Sequence, residues 1–160
     1  MDPNRSCQIV IGVVREALRS SGRAGVALSG GGPEEALLGA WLEAARIPFT
    51  NPGESALGLA EGLLSSLGPA DSRLLAAEAS GLAGWALAWA EGFLLVGTAN
   101  KTCLLLSPTQ PVQSVLPLGD IYASQVQELA GESTRPPCLI GASFEQLLAV
   151  DRALEGHDQE

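Results

Sequence analysis

Apolar residues recur at helical spacing in Ile9, Val13, Val14 and Leu18, with Arg15 and Arg19 between them. That pattern predicts an amphipathic helix over Asn4 to Ser21, ended by Gly22. A short apolar run, Val26 to Leu28, predicts a strand. It stops at Ser29-Gly30-Gly31-Gly32, and helical spacing returns from Pro33 to Ala45. Pro33 suits the first helical position, where its missing N–H would have had no intrahelical partner. Arg46 to Glu54 is a connection holding Pro48 and Pro52, in which Ile47 to Thr50 can form a short strand. Helical patterns then cover Ser55 to Leu67, closed by Gly68-Pro69, and Ser72 to Ala90, with Asp71 as N-cap and Gly92 at the far end.

The second half begins with a strand, Phe93 to Val96, leading into Gly97-Thr98-Ala99-Asn100-Lys101. Thr102 to Leu106 fits helix and strand alike, and Ser107 to Ser114 is a loop with two prolines. Asp120 is positioned as N-cap of a helix over Ile121 to Ala130. Gly131 to Pro137 is irregular, and Ser143 with Gln146 makes a capping box for a last helix, Phe144 to Leu154. Strands alternating with helices predict a parallel α/β layer. A chain of 160 residues suits one domain, here 1–154, followed by a polar tail, 155–160.

The helix Ser72 to Ala90 is apolar nearly all round, with Trp85 and Trp89 one turn apart. A small domain rarely covers every face of such a helix, so part of it is expected to meet another subunit. Trp41, Trp85 and Trp89 are expected as core residues before partner anchors, given the apolar area each buries. Glu78 interrupts the apolar stretch from Leu74 to Ala90, which is too short for a comfortable membrane span.

The net charge of −9 argues against nucleic acid or an anionic membrane surface as partner, because both require clustered Lys and Arg. Cys7, Cys103 and Cys138 lie far apart, without metal-ligand spacing and without a nearby histidine, and read as reduced cytoplasmic thiols. Met1 to Ser6 lacks the apolar core of a signal peptide. The single histidine, His157, falls in the polar tail, so chemistry that needs a positioned imidazole has no candidate.

The chemistry of interest lies at Ser29-Gly30-Gly31-Gly32. A strand that ends in a glycine loop and opens a helix is the geometry in which backbone N–H groups point at an anion. The stretch resembles the pyrophosphate (PP) loop of the ATP-pyrophosphatase superfamily, whose usual form is Ser-Gly-Gly-x-Asp-Ser. Further matches occur in order along the chain. Val96-Gly97-Thr98-Ala99-Asn100-Lys101 is similar to Val-Gly-Thr-Gly-Asn-Lys-Ser-Glu, and Leu116-Pro117-Leu118-Gly119-Asp120-Ile121-Tyr122 is similar to Leu-Pro-Leu-Gly-Asp-Leu-Tyr-Lys. Leu139-Ile140-Gly141-Ala142-Ser143-Phe144-Glu145 is like Glu-Leu-Gly-x-Ser-Tyr-Glu. Together they resemble the ammonia-dependent NAD synthetases, ligases that adenylate nicotinic acid adenine dinucleotide with ATP and then amidate it.

The resemblance implies a three-layer α/β/α fold with a central parallel sheet, Rossmann-like and reduced in size, and a homodimer formed through Ser72–Ala90. It implies Ser29, Gly30, Gly31, Gly32, Thr98 and Lys101 as the residues around ATP or another adenine nucleotide. The departures fall on the chemistry. The family's two magnesium-holding carboxylates correspond to Pro33 and Cys103, neither a hard oxygen ligand, and its lysine after the Leu-Tyr pair is Ala123. Ser107 to Ser114 carries no charge where the family has Thr-Lys-x-Gly-Asp-Gly. Glu34 and Glu35, in the first helical turn, complement the helix dipole and would repel a polyphosphate. The expectation is therefore a chain without catalytic or metal-binding residues, with a structural, regulatory or weak nucleotide-binding role. The alternatives are an active amide ligase with a metal relocated to Glu34, Glu35 and Asp120, and an interaction module with a closed pocket.

Overall fold

The computed structural model describes residues 2–29, 32–51, 84–106, 115–130 and 144–157. The expected helix 55–67, the start of the helix 72–90, the loop 107–114 and the Ser143 half of the capping box lie outside them.

Helix α1 (Pro3–Ser21) starts at Asp2, whose side chain accepts from the Asn4 N–H, and ends at Gly22 with φ 65°. Its buried face is Val10, Ile11 and Val14, flanked by Cys7, Ala17 and Leu18. This corrects the expected stripe: Ile9 and Val13 lie on the exposed side, 59% and 44% accessible. The chosen face is the longer unbroken i, i+3, i+4 series, running from Cys7 to Leu18.

Strands β1 (Val26–Ser29), β2 (Phe49–Thr50) and β3 (Leu94–Gly97) form a parallel sheet in the order β2-β1-β3. The two longer strands sit within a residue of the expected runs, and the short strand before Asn51 is present. A parallel bridge from Val96 to Val115 continues the sheet beyond β3. Side chains alternate across it. Val26, Leu28, Leu94 and Val96 join α1 and the Leu37, Leu38 and Leu42 face of helix α2 (Gly32–Ala44) in the main core. Ala27 and Leu95 face the other way, onto Ala88 of the helical segment 84–90, α3. Helices thus cover both faces of a parallel sheet, the expected α/β/α layering.

Gly25 leads into β1 where a Cβ would stand 2.7 Å from the Pro48 carbonyl oxygen and 3.0 Å from the Phe93 ring. Only glycine lets these backbones come so close. Gly92 closes α3 with φ 70°, its N–H donating to the Trp89 carbonyl while Phe93 donates to Ala88 at 2.7 Å. That is a Schellman cap. Trp85 and Trp89 are 44% and 61% exposed, which corrects the expectation that they fill a core; Trp41 does pack against the core.

Beyond β3, the ambiguous stretch resolves as helix α4 (Lys101–Leu106), followed by α5 (Ala123–Ala130) and α6 (Phe144–His157). Asp120 is not the cap of α5: it is exposed in the preceding turn, and the helix starts three residues later. Its first N–H groups go to side chains instead. Tyr122 donates to Gln125 Oε1 at 3.0 Å, Ala123 to Thr102 Oγ1 at 2.9 Å and Ser124 to Asp151 Oδ2 at 2.8 Å. Thr102 in turn donates to Asp151 Oδ1 at 2.6 Å, so one buried carboxylate joins α4, α5 and α6. Helix α6 runs through His157, three residues past its expected end.

Candidate functional site

The chain leaves β1 through α2 to β2 on one side of the sheet, then returns to β3 on the other. This makes the crevice outside the carboxyl ends of β1 and β3 a topological switch point, where open α/β sheets place ligands. Ser29 closes β1 and Thr98 follows β3. The Thr98 N–H and Oγ1 both donate to the Ser29 carbonyl, at 3.2 and 3.4 Å. The structure therefore brings two of the expected site residues together, and Gly32 opens α2 beside them. Gly30 and Gly31 lie outside the described residues.

The side chain that enters this crevice is Glu34, in the first turn of α2 and 2% exposed. Asn100 Nδ2 donates to Glu34 Oε1 at 2.6 Å. Asn100 is also the N-cap of α4, its Oδ1 accepting from the Cys103 N–H at 2.9 Å. Glu34 Oε2 is buried without a hydrogen-bond partner. Burial pushes the Glu34 carboxyl above its ordinary value, offset in part by its own backbone N–H and by the Asn100 amide. An ordinary dipole-complementing glutamate stays solvated; this one does not.

Glu35, one residue on, turns elsewhere and accepts from Asn51; burial raises its carboxyl too, with the Asn51 bond opposing. Glu34, Glu35 and exposed Asp120 thus do not share the surroundings that a relocated metal would need. Among the described residues no group of three acidic, thiol or imidazole side chains is placed to hold a metal ion. Lys101 begins α4 with its N–H donated to the Ile121 carbonyl at 2.8 Å. Its ammonium stands 4.7 Å from the centre of the Tyr122 ring, a cation–π contact. Cys103 is half-buried one turn into the same helix.

Sequence reasoning missed Asn100 as the partner of Glu34, and Asp151 as the anchor of three helices. The available signal for the first was a glutamate where the loop motif carries a small hydroxyl residue. For the second it was only an aspartate on a helix with a mostly apolar inner face.

A parallel sheet with helices on both faces and a helix N-terminus at the carboxyl ends of its central strands defines the Rossmann-like α/β class. Within that class the fold is NAD synthetase-like, in shortened form. The NH3-dependent NAD synthetase of Campylobacter jejuni subsp. jejuni, in complex with the nitrate ion, superposes with a TM-score of 0.65 at 16% identity, covering 100% of this chain and 86% of that one. The NAD+ synthetase of Burkholderia pseudomallei gives 0.55 at 17% identity, covering 94% of this chain and 83% of that one. No protein-family model matches the sequence, and no curated protein matches it. Among the described residues no helix is long and apolar enough to cross a membrane.

Proposed function

We propose that this chain is an NAD synthetase-like protein without ATP-dependent amide ligase activity, serving a structural or regulatory role. The observation that carries the reading is the buried Glu34–Asn100 pair at the N-terminus of α2. Adenylyl and phosphoryl transfer depend on positioning and on neutralising phosphate charge, and this crevice adds negative charge instead. The described residues do not fit a magnesium ion. Proline and cysteine stand at the positions that resemble the family's metal ligands, and the carboxyl of Glu34, which the described residues place in the crevice, is bonded to Asn100. Ser29, Gly32, Thr98 and Lys101 keep the frame of a nucleotide site without its charge balance. The test is amidation of nicotinic acid adenine dinucleotide by the purified protein with ATP, magnesium and ammonium. No turnover is expected; ATP-dependent NAD formation that is lost in Ser29→Ala or Lys101→Ala overturns the reading.

A second feature supports association with another copy of the chain through the stretch 72–90, of which residues 84–90 are described as helix. In its described end, Trp85 and Trp89 stack at 5.6 Å between ring centres and Arg23 lies 4.5 Å above Trp89. Exposed aromatic residues beside an arginine are the composition of an interface core. Sedimentation should show a dimer that Trp89→Asp converts to monomer; a monomeric parent protein removes this reading.

A further inference from the structure

The crevice between β1 and β3 has a helix N-terminus at its edge and, inside it, a carboxyl group supplied by the chain. Helix α2 has 13 residues, so its N-terminus carries the partial positive charge that attracts phosphates. Glu34 bends into that end, binding its own backbone N–H and the Asn100 amide. The fit is incomplete, because one oxygen, Oε2, is buried with no hydrogen-bond partner. Such an orphan is costly to bury, which sets Glu34 apart from a glutamate that merely caps a solvated helix end.

We infer that Glu34 is a built-in plug, a carboxylate that occupies the anion site at the N-terminus of α2 and excludes pyrophosphate-bearing ligands from it. It acts in two ways. Its side chain takes the donors that a phosphate oxygen would use, Asn100 Nδ2 among them, and its carboxyl fills the space that an incoming anion would need. Removing it hands those donors to a ligand. Among the described residues, Glu35 is turned to Asn51, and Lys101 stands over Tyr122. The inference rests on the reading of this crevice as one that no longer serves catalysis, but the two are tested by different signals.

The test is calorimetric titration of the full chain with inorganic pyrophosphate, without metal, for the parent protein, Glu34→Ser, Glu34→Ala and Glu35→Ser. Glu34→Ser and Glu34→Ala are expected to bind at least about tenfold more tightly than the parent, the scale set by helix-dipole and like-charge effects. Glu35→Ser makes the same charge change on the same turn and should leave affinity unchanged. Equal affinity in the parent and both folded Glu34 variants overturns the plug, as does a gain in Glu35→Ser of the same size. Failure of both Glu34 variants to fold, judged by circular dichroism, also overturns it, since Glu34 would then be a core residue. Amidation by the parent protein would instead refute the loss of activity while leaving the pyrophosphate comparison to judge the plug alone.

Discussion

Substituting Asp151 should destabilise the protein out of proportion to the atoms removed. Its carboxylate is 2% exposed and accepts two hydrogen bonds, from the Thr102 hydroxyl at 2.6 Å and from the Ser124 N–H at 2.8 Å. Each bond to a charged acceptor contributes about 1.5–3 kcal/mol. Asp151→Ala also removes a buried charge, which regains part of that sum, so the expected net loss is about 2–4 kcal/mol. Thr102→Val removes the middle of the chain of bonds, leaving the Ala123 N–H without its 2.9 Å acceptor, and should cost about 1–2 kcal/mol. Because the two residues act through one shared bond, the double variant should be less destabilised than the sum of the singles by about 1 kcal/mol. Urea unfolding at pH 7, followed by tryptophan fluorescence and circular dichroism, measures all four corners of the cycle. An Asp151→Ala loss below about 0.5 kcal/mol, or strict additivity, would refute the claim that this carboxylate unites α4, α5 and α6.

Three further outcomes are expected. Burial raises the Glu34 carboxyl from an ordinary 4.5, so the folded state binds more protons than the unfolded one above that pH. Stability therefore falls as pH rises from about 4.5 through the folded value and then levels off, with a slope contribution no steeper than about 1.4 kcal/mol per pH unit; subtracting the Glu34→Gln profile from the parent's should isolate it, and parallel profiles would contradict the burial. Gly25→Ala should cost about 1–3 kcal/mol in the same urea assay, because its Cβ meets the Pro48 carbonyl oxygen at 2.7 Å; an unchanged midpoint would deny the close approach. Arg46 adopts φ 56° at the end of α2, so Arg46→Gly should stabilise by about 0.5–1 kcal/mol, and a loss of stability would show that the arginine side chain matters more than its backbone strain.

The local grammar of the chain was legible where one stretch determines its own shape. The strand Val26 to Leu28, the strand ending at Val96 and the Gly22 and Gly92 stops rest on neighbours in sequence. What escaped was decided between distant residues. Glu34 becomes a buried group only because Asn100, 66 positions later, meets it. In the isolated sequence it is indistinguishable from Glu35, which shares its turn and has another partner. Asp120 looked like the cap of α5 because it precedes an apolar run, but Thr102 and Asp151 arrive from other helices to take the same N–H groups. The phase of α1 is ambiguous in the sequence because Ile9 and Val13 are as apolar as Val10 and Ile11, and only the sheet beneath selects between the two faces.

The stacked indoles at the end of α3 also have an optical consequence. Two tryptophans with ring centres 5.6 Å apart and planes inclined by 28° share their electronic transitions and should produce a paired, oppositely signed signal in circular dichroism. The third indole, Trp41 in α2, packs against the cluster on the opposite face of the sheet. The protein thus carries a native reporter of one helical turn, readable without a label. Its amplitude follows the geometry of residues 85 and 89 alone, so titrating any partner while watching it distinguishes a molecule that settles on this face from one that binds elsewhere.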